Sequence, residues 1–303
     1  MAKLGKRIKN TFVYWFVVGM LLWVRLISRP TALHVFRQLG LLIFHLLRKE
    51  REKIIRHLTW VFGASKSEAE IRAMARQVCI DLGTNAVDAA RLPLINSHNL
   101  DQLVVFEGLE NIDKALYGGK GSIFVTGHIG CWELMAAAVA MKGYPVYVIG
   151  KQLYDSRLDR ILVRNRERSG YRNIARGSSV KKIIKALRSN AILGILIDQD
   201  TNVDGVFVNF FGMPAYTPIG PVVLAAKSGA SIVPIAIQMM PDFRHRILVK
   251  EPIALSLTGD RQQDLVVNTQ KLSDFLEETI RIYPTQWVWM HERWKTKPQV
   301  QSS

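Results

Sequence analysis

One short stretch of this 303-residue chain carries residue types that could do acid–base chemistry: Gly127-His128-Ile129-Gly130-Cys131-Trp132-Glu133. A carboxylate held against one ring nitrogen of a histidine fixes the imidazole tautomer and stabilises the imidazolium. The other ring nitrogen can then take a proton from a hydroxyl. Such a pair suits an alcohol attacking an activated acyl group. Cys131, three residues from His128, opens a second route in which a thiolate attacks a thioester. Zinc held by His128, Cys131 and Glu133 lacks both the ligand spacing and a fourth partner, so no metal is expected. The Gly-Gly-Lys-Gly-Ser run at 118–122 is not a phosphate loop, because Gly121 separates Lys120 from Ser122.

For His128 and Glu133 to meet, the chain must turn between them. On one continuous helix, a separation of five residues at about 100° each would put them on different faces. Residues 123–125 read as a buried strand, Gly127 and Gly130 as a tight turn, and the apolar run from Trp132 as a helix. His128 then lies at the carboxyl end of a strand, where open α/β sheets place their ligand crevices. Around this unit, β-rich runs at 103–108, 145–150, 191–198, 205–211, 231–240 and 246–251 alternate with helical stretches at 132–142, 155–169, 180–188 and 220–227. Helices at 65–92, opened by Ser67 ahead of Glu68 and Glu70, and at 264–282 flank them. Continuously apolar strands between helices predict an α/β fold with a sheet covered on both faces.

The balance of 41 Lys+Arg against 25 Asp+Glu gives a net charge of +16, which calls for an anionic partner. No nucleic-acid-binding signature accompanies it, so nucleic acid is not expected. Two cysteines exclude a disulfide framework. The basic residues Lys3, Lys6, Arg7 and Lys9 lead into an apolar run at 12–24, and Arg25, Arg29 and Arg37 follow it. As a helix, residues 11–27 would reach roughly 25 Å at about 1.5 Å per residue, slightly short of a bilayer core. With cations on both sides, the run reads as a tilted or half-inserted anchor over residues 1–30, a single span being the alternative. The apolar stretch ending in the basic cluster at 48–53 either extends that membrane-facing surface or is a buried helix with a charged end. Residues 31–303 form the remaining domain.

The HIGCWE segment resembles the H-x4-D/E motif of the membrane acyltransferases, and its setting is similar to that of the late lipid A (lauroyl/myristoyl) acyltransferase family. Three further blocks carry the resemblance. Residues 196–235 hold paired aspartates, a Val-Phe-Val strand, Phe-Phe-Gly-Met-Pro-Ala and a Thr-Pro-Ile-Gly helix entry; residues 158–174 hold several arginines; residues 284–296 read PTQWVWMHERWKT. One departure is Asp198-Gln199-Asp200, where the family most often has histidine in the middle.

The resemblance implies a central mixed sheet flanked by helices, as in glycerol-3-phosphate acyltransferases, behind an N-terminal membrane-anchor helix. It implies transfer of a fatty acyl chain from a thioester, usually on acyl carrier protein, to a hydroxyl of a lipid A precursor or related glycolipid. No cofactor is implied, and the site would lie at the cytoplasmic face of the bacterial inner membrane. His128 would be the general base and Glu133 its orienting carboxylate. Arg166, then Arg164, would engage anionic substrate groups through forked guanidinium donors. Of the two aspartates, Asp200 is preferred over Asp198 as a site residue. Trp287, Trp289 and Trp294, with Arg293 and Lys295, read either as a membrane-interface patch or as a final strand packed on the sheet.

Overall fold

The computed structural model describes residues 2–177 and 180–298, with side chains from Lys9 onward. Lys3, Lys6 and Arg7 therefore lie outside the described side chains. Four helices come first: α1 (Ala2–Leu26), α2 (Arg29–Leu46), α3 (Arg48–Phe62) and α4 (Glu68–Arg91). Their starts follow from local chemistry. The Ser28 hydroxyl accepts from the Thr31 amide ahead of Pro30, and Ser67 and Glu70 form a reciprocal capping box that satisfies two orphan amides of α4.

The remainder alternates. In chain order it runs α5 (Leu100–Leu103), β1 (Val104–Glu107), α6 (Glu110–Leu116), β2 (Ser122–Thr126), α7 (Trp132–Met141), β3 (Val146–Gly150) and α8 (Ser156–Arg168). Then follow β4 (Tyr171–Ala175), α9 (Val180–Arg188), β5 (Ile192–Leu196), β6 (Gly205–Phe210), β7 (Met213–Pro218) and α10 (Gly220–Ser228). The last elements are β8 (Ser231–Met239), β9 (His245–Val249) and α11 (Arg261–Ile282).

Among the described residues, seven strands form one mixed sheet in the order β1-β9-β8-β2-β5-β3-β4. From β8 to β4 all neighbours are parallel; β9 runs antiparallel to β8 and parallel to β1. The sheet is flanked by helices, and its central strand β2 is buried at every position. Ile123 and Val125 enter the core on one face, with α9, α10 and α11; Phe124 enters the core on the other, with α7. β6 and β7 make a separate antiparallel hairpin against α11. Two strands were not expected: β4, which emerges from the arginine-rich block, and β7, in which Thr217 is a buried strand residue rather than a helix start.

The amino-terminal helices are part of this body at one end. Val24 of α1 is buried with Leu33 and Phe36 of α2 and Val87 of α4, and Arg91 donates to the Val24 and Ile27 carbonyls. Farther back along α1, Phe12, Trp15 and Phe16 are exposed, and so are Leu42, Ile43, Leu46 and Leu47 beyond α1. Among the described residues no single helix is long and apolar enough to cross a membrane; α2 and α3 satisfy that test only as a pair, and they meet at a 92° bend. Residues 31–62 are also not one helix: Leu47 breaks them, and Ile54, Leu58 and Phe62 of α3 are core residues.

Candidate active site

Parallel register builds the centre of the site. β2 and β5 are neighbours with Thr126 opposite Leu196, so two residues further on His128 and Asp198 arrive side by side at the carboxyl ends of their strands. His128 donates its backbone amide to Asp198 Oδ2 at 2.7 Å, and its ring Nδ1 lies 2.8 Å from Asp198 Oδ1. Trp287 Nε1 donates to the same Oδ2 at 2.8 Å. Gly127 makes this approach possible, since a Cβ there would come within 3.0 Å of the Asp198 carboxyl.

Asp198 is fully buried. Burial alone would push its carboxyl up, but the His128 charge and the three donated hydrogen bonds outweigh it and hold the group well below the usual carboxylate range. For His128, burial opposes the charged form, and the Asp198 carboxylate and, less strongly, Glu133 overcome it, so the imidazole titrates above its ordinary value. The carboxylate fixes the proton on Nδ1 and leaves Nε2 as the basic nitrogen.

The expected pairing of His128 with Glu133 is thus corrected: the carboxylate hydrogen-bonded to His128 is Asp198. Glu133, in the first turn of α7, is taken up elsewhere. Arg166 grips it in a bidentate ion pair, and Tyr171 Oη donates to Glu133 Oε2 at 2.6 Å. Arg166 also donates to Asn173 Oδ1 at 2.6 Å. Gly150 leaves room for that contact, because a Cβ there would lie 2.7 Å from Arg166 Nη1. Of the expected arginines, Arg166 lines the site while Arg164 is exposed on α8 outside it. Asp200 is likewise displaced from the centre: it accepts from the amide and hydroxyl of Thr296 at 2.6 and 2.9 Å, which ties down the segment after Trp294.

Cys131 faces the core, not the site. It is buried with Leu134, Val233 and Ile235, and desolvation, then the Asp88 charge, push its thiol far above the ordinary range. Gly130 makes the turn between His128 and Cys131. It has φ +57°, and a Cβ would fall 2.3 Å from the Ile237 carbonyl oxygen. Gly130→Ala should therefore lower stability by about 1–3 kcal/mol or more, since backbone strain adds to the clash; the denaturant midpoint reads it.

Three residues at the centre were not expected there. Gln199 bridges His128 Nε2 at 3.3 Å and His291 Nε2 at 2.6 Å. Burial, then the neighbouring His128, pushes His291 down to about 4, so it is neutral at neutral pH and accepts from the amide. The third is Trp287. Its segment docks on the His128 turn, with Ile129 bridged to Trp287, Val288 N donating to the His128 carbonyl at 3.2 Å and Gly130 N donating to the Gln286 carbonyl. Trp287, Trp289, Trp294 and Arg293 are all buried, so they are neither a membrane-interface patch nor a strand of the sheet. Arg293 donates to the Tyr216 carbonyl and to Thr217 Oγ1.

His128, Glu133, Arg166, Tyr171 and Gln199 line one cavity of about 690 Å³. Elsewhere its wall is largely apolar, with Phe124, Met135, Val139, Val146, Val148 and Ile192 on the α7 side of the sheet. Gly194, on β5, adds no side chain to that wall. A long hydrocarbon chain fits such a lining, with a hydroxyl or carbonyl presented to His128.

The family described as bacterial lipid A biosynthesis acyltransferase matches residues 3–296. The lipid A biosynthesis lauroyltransferase of Escherichia coli K12 is 25% identical over 94% of this chain and 92% of its own length. The phosphatidylinositol mannoside acyltransferase of Mycobacterium tuberculosis is 25% identical over 67% of this chain, a match spanning 65% of the mycobacterial protein. The crystal structure of a 1-acyl-sn-glycerophosphate acyltransferase from Thermotoga maritima superposes with a TM-score of 0.40 at 13% identity, covering 84% of this chain and 99% of that one.

Proposed function

The chain belongs to the bacterial lipid A biosynthesis acyltransferase family, and on that premise we propose that it moves a fatty acyl chain from a thioester to a hydroxyl of a lipid A precursor. The observation that carries the mechanism is His128, pinned through Nδ1 by Asp198, with Nε2 beside the Gln199 amide at 3.3 Å, in the lining of a largely apolar cavity. Nε2 takes the hydroxyl proton as that oxygen attacks the thioester carbonyl. The tetrahedral oxyanion then collapses, the thiolate leaves, and the proton passes from His128 to the departing sulfur. The thioester supplies a good leaving group, so the steps use no cofactor and no acyl-enzyme. Glu133, locked by Arg166 and Tyr171, shapes the wall beside His128 and adds its negative charge to that of Asp198.

The donor in this reading is acyl carrier protein. The exposed apolar side chains of α1 and the α2–α3 corner attach the enzyme to the cytoplasmic face of the inner membrane, where both substrates meet. A second acceptor is favoured by a specific observation, the match to mycobacterial proteins named for acylating phosphatidylinositol mannosides. Both acceptors join sugar hydroxyls to phosphate and lipid.

The test incubates purified full-length chain with acyl carrier protein loaded with a fatty acid and with either acceptor, and reads the lipid by mass spectrometry. One acceptor should gain the mass of one acyl chain, and the His128→Ala variant should abolish the gain. Transfer to neither acceptor overturns the reading. In the same assay Cys131→Ala should retain most turnover; a loss comparable with that of His128→Ala would replace the general base with a cysteine nucleophile.

A further inference from the structure

We propose that Lys151 and Arg176 form a two-pronged clamp for a phosphoryl group of the substrate. The proposal rests on the acyl-transfer reading and names a contact it leaves open. β3 and β4 are parallel neighbours, with Gly150 opposite Ala175 as their last paired residues. Lys151 and Arg176 come next on each chain, and Arg176 donates its amide to the Gly150 carbonyl at 2.8 Å. The two cations are thus set side by side at the carboxyl end of the sheet, the same end that presents His128, and both line the same cavity.

Their side chains are exposed, and neither has a hydrogen-bonding or ion-pairing partner among the described residues. The cations of α8 near this end are committed or turned away. Arg166 is neutralised by Glu133, Arg157 is paired with Asp155 and stacked on Tyr14, and Arg160, Arg164 and Arg168 are exposed on α8 outside the cavity. Lys227 and Arg261 line the cavity too, from α10 and α11, with Asp204 as a third charged residue of that wall.

A phosphate monoester carries a charge near −2 at neutral pH and three acceptor oxygens. One ammonium and one forked guanidinium on adjacent strand ends match that charge and geometry. The phosphoryl group has two sources in this reaction: the phosphorylated sugar of the acceptor, which is such a monoester, or the phosphodiester of the donor's pantetheine arm, which offers the same cations one charge and two free oxygens. Clamping either one would fix the distance from the anion to the reacting atoms along the cavity.

Two measurements test the clamp on the full-length chain in detergent. Phosphorus NMR of inorganic phosphate should show exchange broadening with the wild type and with His128→Ala, but not with Lys151→Glu/Arg176→Glu. Kinetics should then show the preference for phosphorylated over dephosphorylated acceptor, as a ratio of kcat/KM, falling about tenfold or more in Lys151→Ala/Arg176→Ala, as expected for lost charge-assisted contacts. Lys151→Arg/Arg176→Lys should restore it. If instead the KM for the acyl carrier donor rises with that ratio unchanged, the clamped phosphate belongs to the donor. If the wild type is active yet does not broaden phosphate, and Lys151→Ala/Arg176→Ala changes neither the acceptor preference nor the donor KM, the clamp is overturned. Phosphate binding without acyl transfer leaves the clamp standing and overturns the acyltransferase reading alone.

Discussion

Asp198→Asn is expected to lower kcat about 10³–10⁴-fold, the scale seen when the orienting carboxylate of a histidine base is made neutral. An asparagine has nearly the same shape and can still accept from the His128 amide and from Trp287. It can also present an N–H to His128 Nδ1, which would move the ring proton to Nε2 and remove the basic lone pair from the reacting side. The pH profile gives a second, independent readout. His128 must be unprotonated to act, so the wild-type rate falls as pH drops through its raised titration point. Burial opposes the charged form of His128, and Asp198 is the main cause of the rise. The acid limb of the residual activity in Asp198→Asn should therefore move to lower pH. An unmoved limb would assign the base to another group.

Arg166→Leu is expected to destabilise the fold by about 3–5 kcal/mol, because it strands the Glu133 carboxylate in a mostly buried site. The two side chains are only 12% and 14% exposed, so solvent recovers little of the lost pairing. Tyr171 Oη would still donate to Glu133, which keeps the carboxylate hydrogen-bonded but not neutralised. Chemical denaturation should show a lower midpoint, and the double variant Arg166→Leu/Glu133→Leu should recover much of the loss, since it buries no unpaired charge. If the single variant unfolds at the wild-type midpoint, Arg166 is a substrate ligand and not a structural partner of Glu133.

The sheet was legible because its buried strands are continuous apolar runs and its helices open with recognisable caps, as Ser67 and Glu70 illustrate. β4 was hidden inside the sequence YRNIA, where Arg172 is exposed and only Tyr171 and Ile174 are buried. At the site, the motif located His128 and Glu133 but mispaired them. A short spacing along the chain suggests a contact, whereas the contact that formed spans 70 residues and is set by strand register. Asp198 had a readable clue: it falls just past a buried strand, as His128 does. The neighbouring relation of β2 and β5 was missing from the sequence, and without it Asp198 and Asp200 looked alike. The tryptophans near the end of the chain show the same limit. Composition could not distinguish an aromatic ring at an interface from one whose indole N–H is buried on a carboxylate.

The docking of residues 284–296 over the His128 turn has a consequence for synthesis. Trp287 supplies one of the three donors on Asp198, Val288 and Gln286 hold the turn, and Thr296 ties Asp200. A nascent chain can form β2 and β5 long before those residues leave the ribosome. Until they do, it has His128 and Asp198 but an incompletely held carboxylate. Chemical competence therefore waits for this segment during translation, so chains terminated before residue 284 would be inactive rather than partial enzymes.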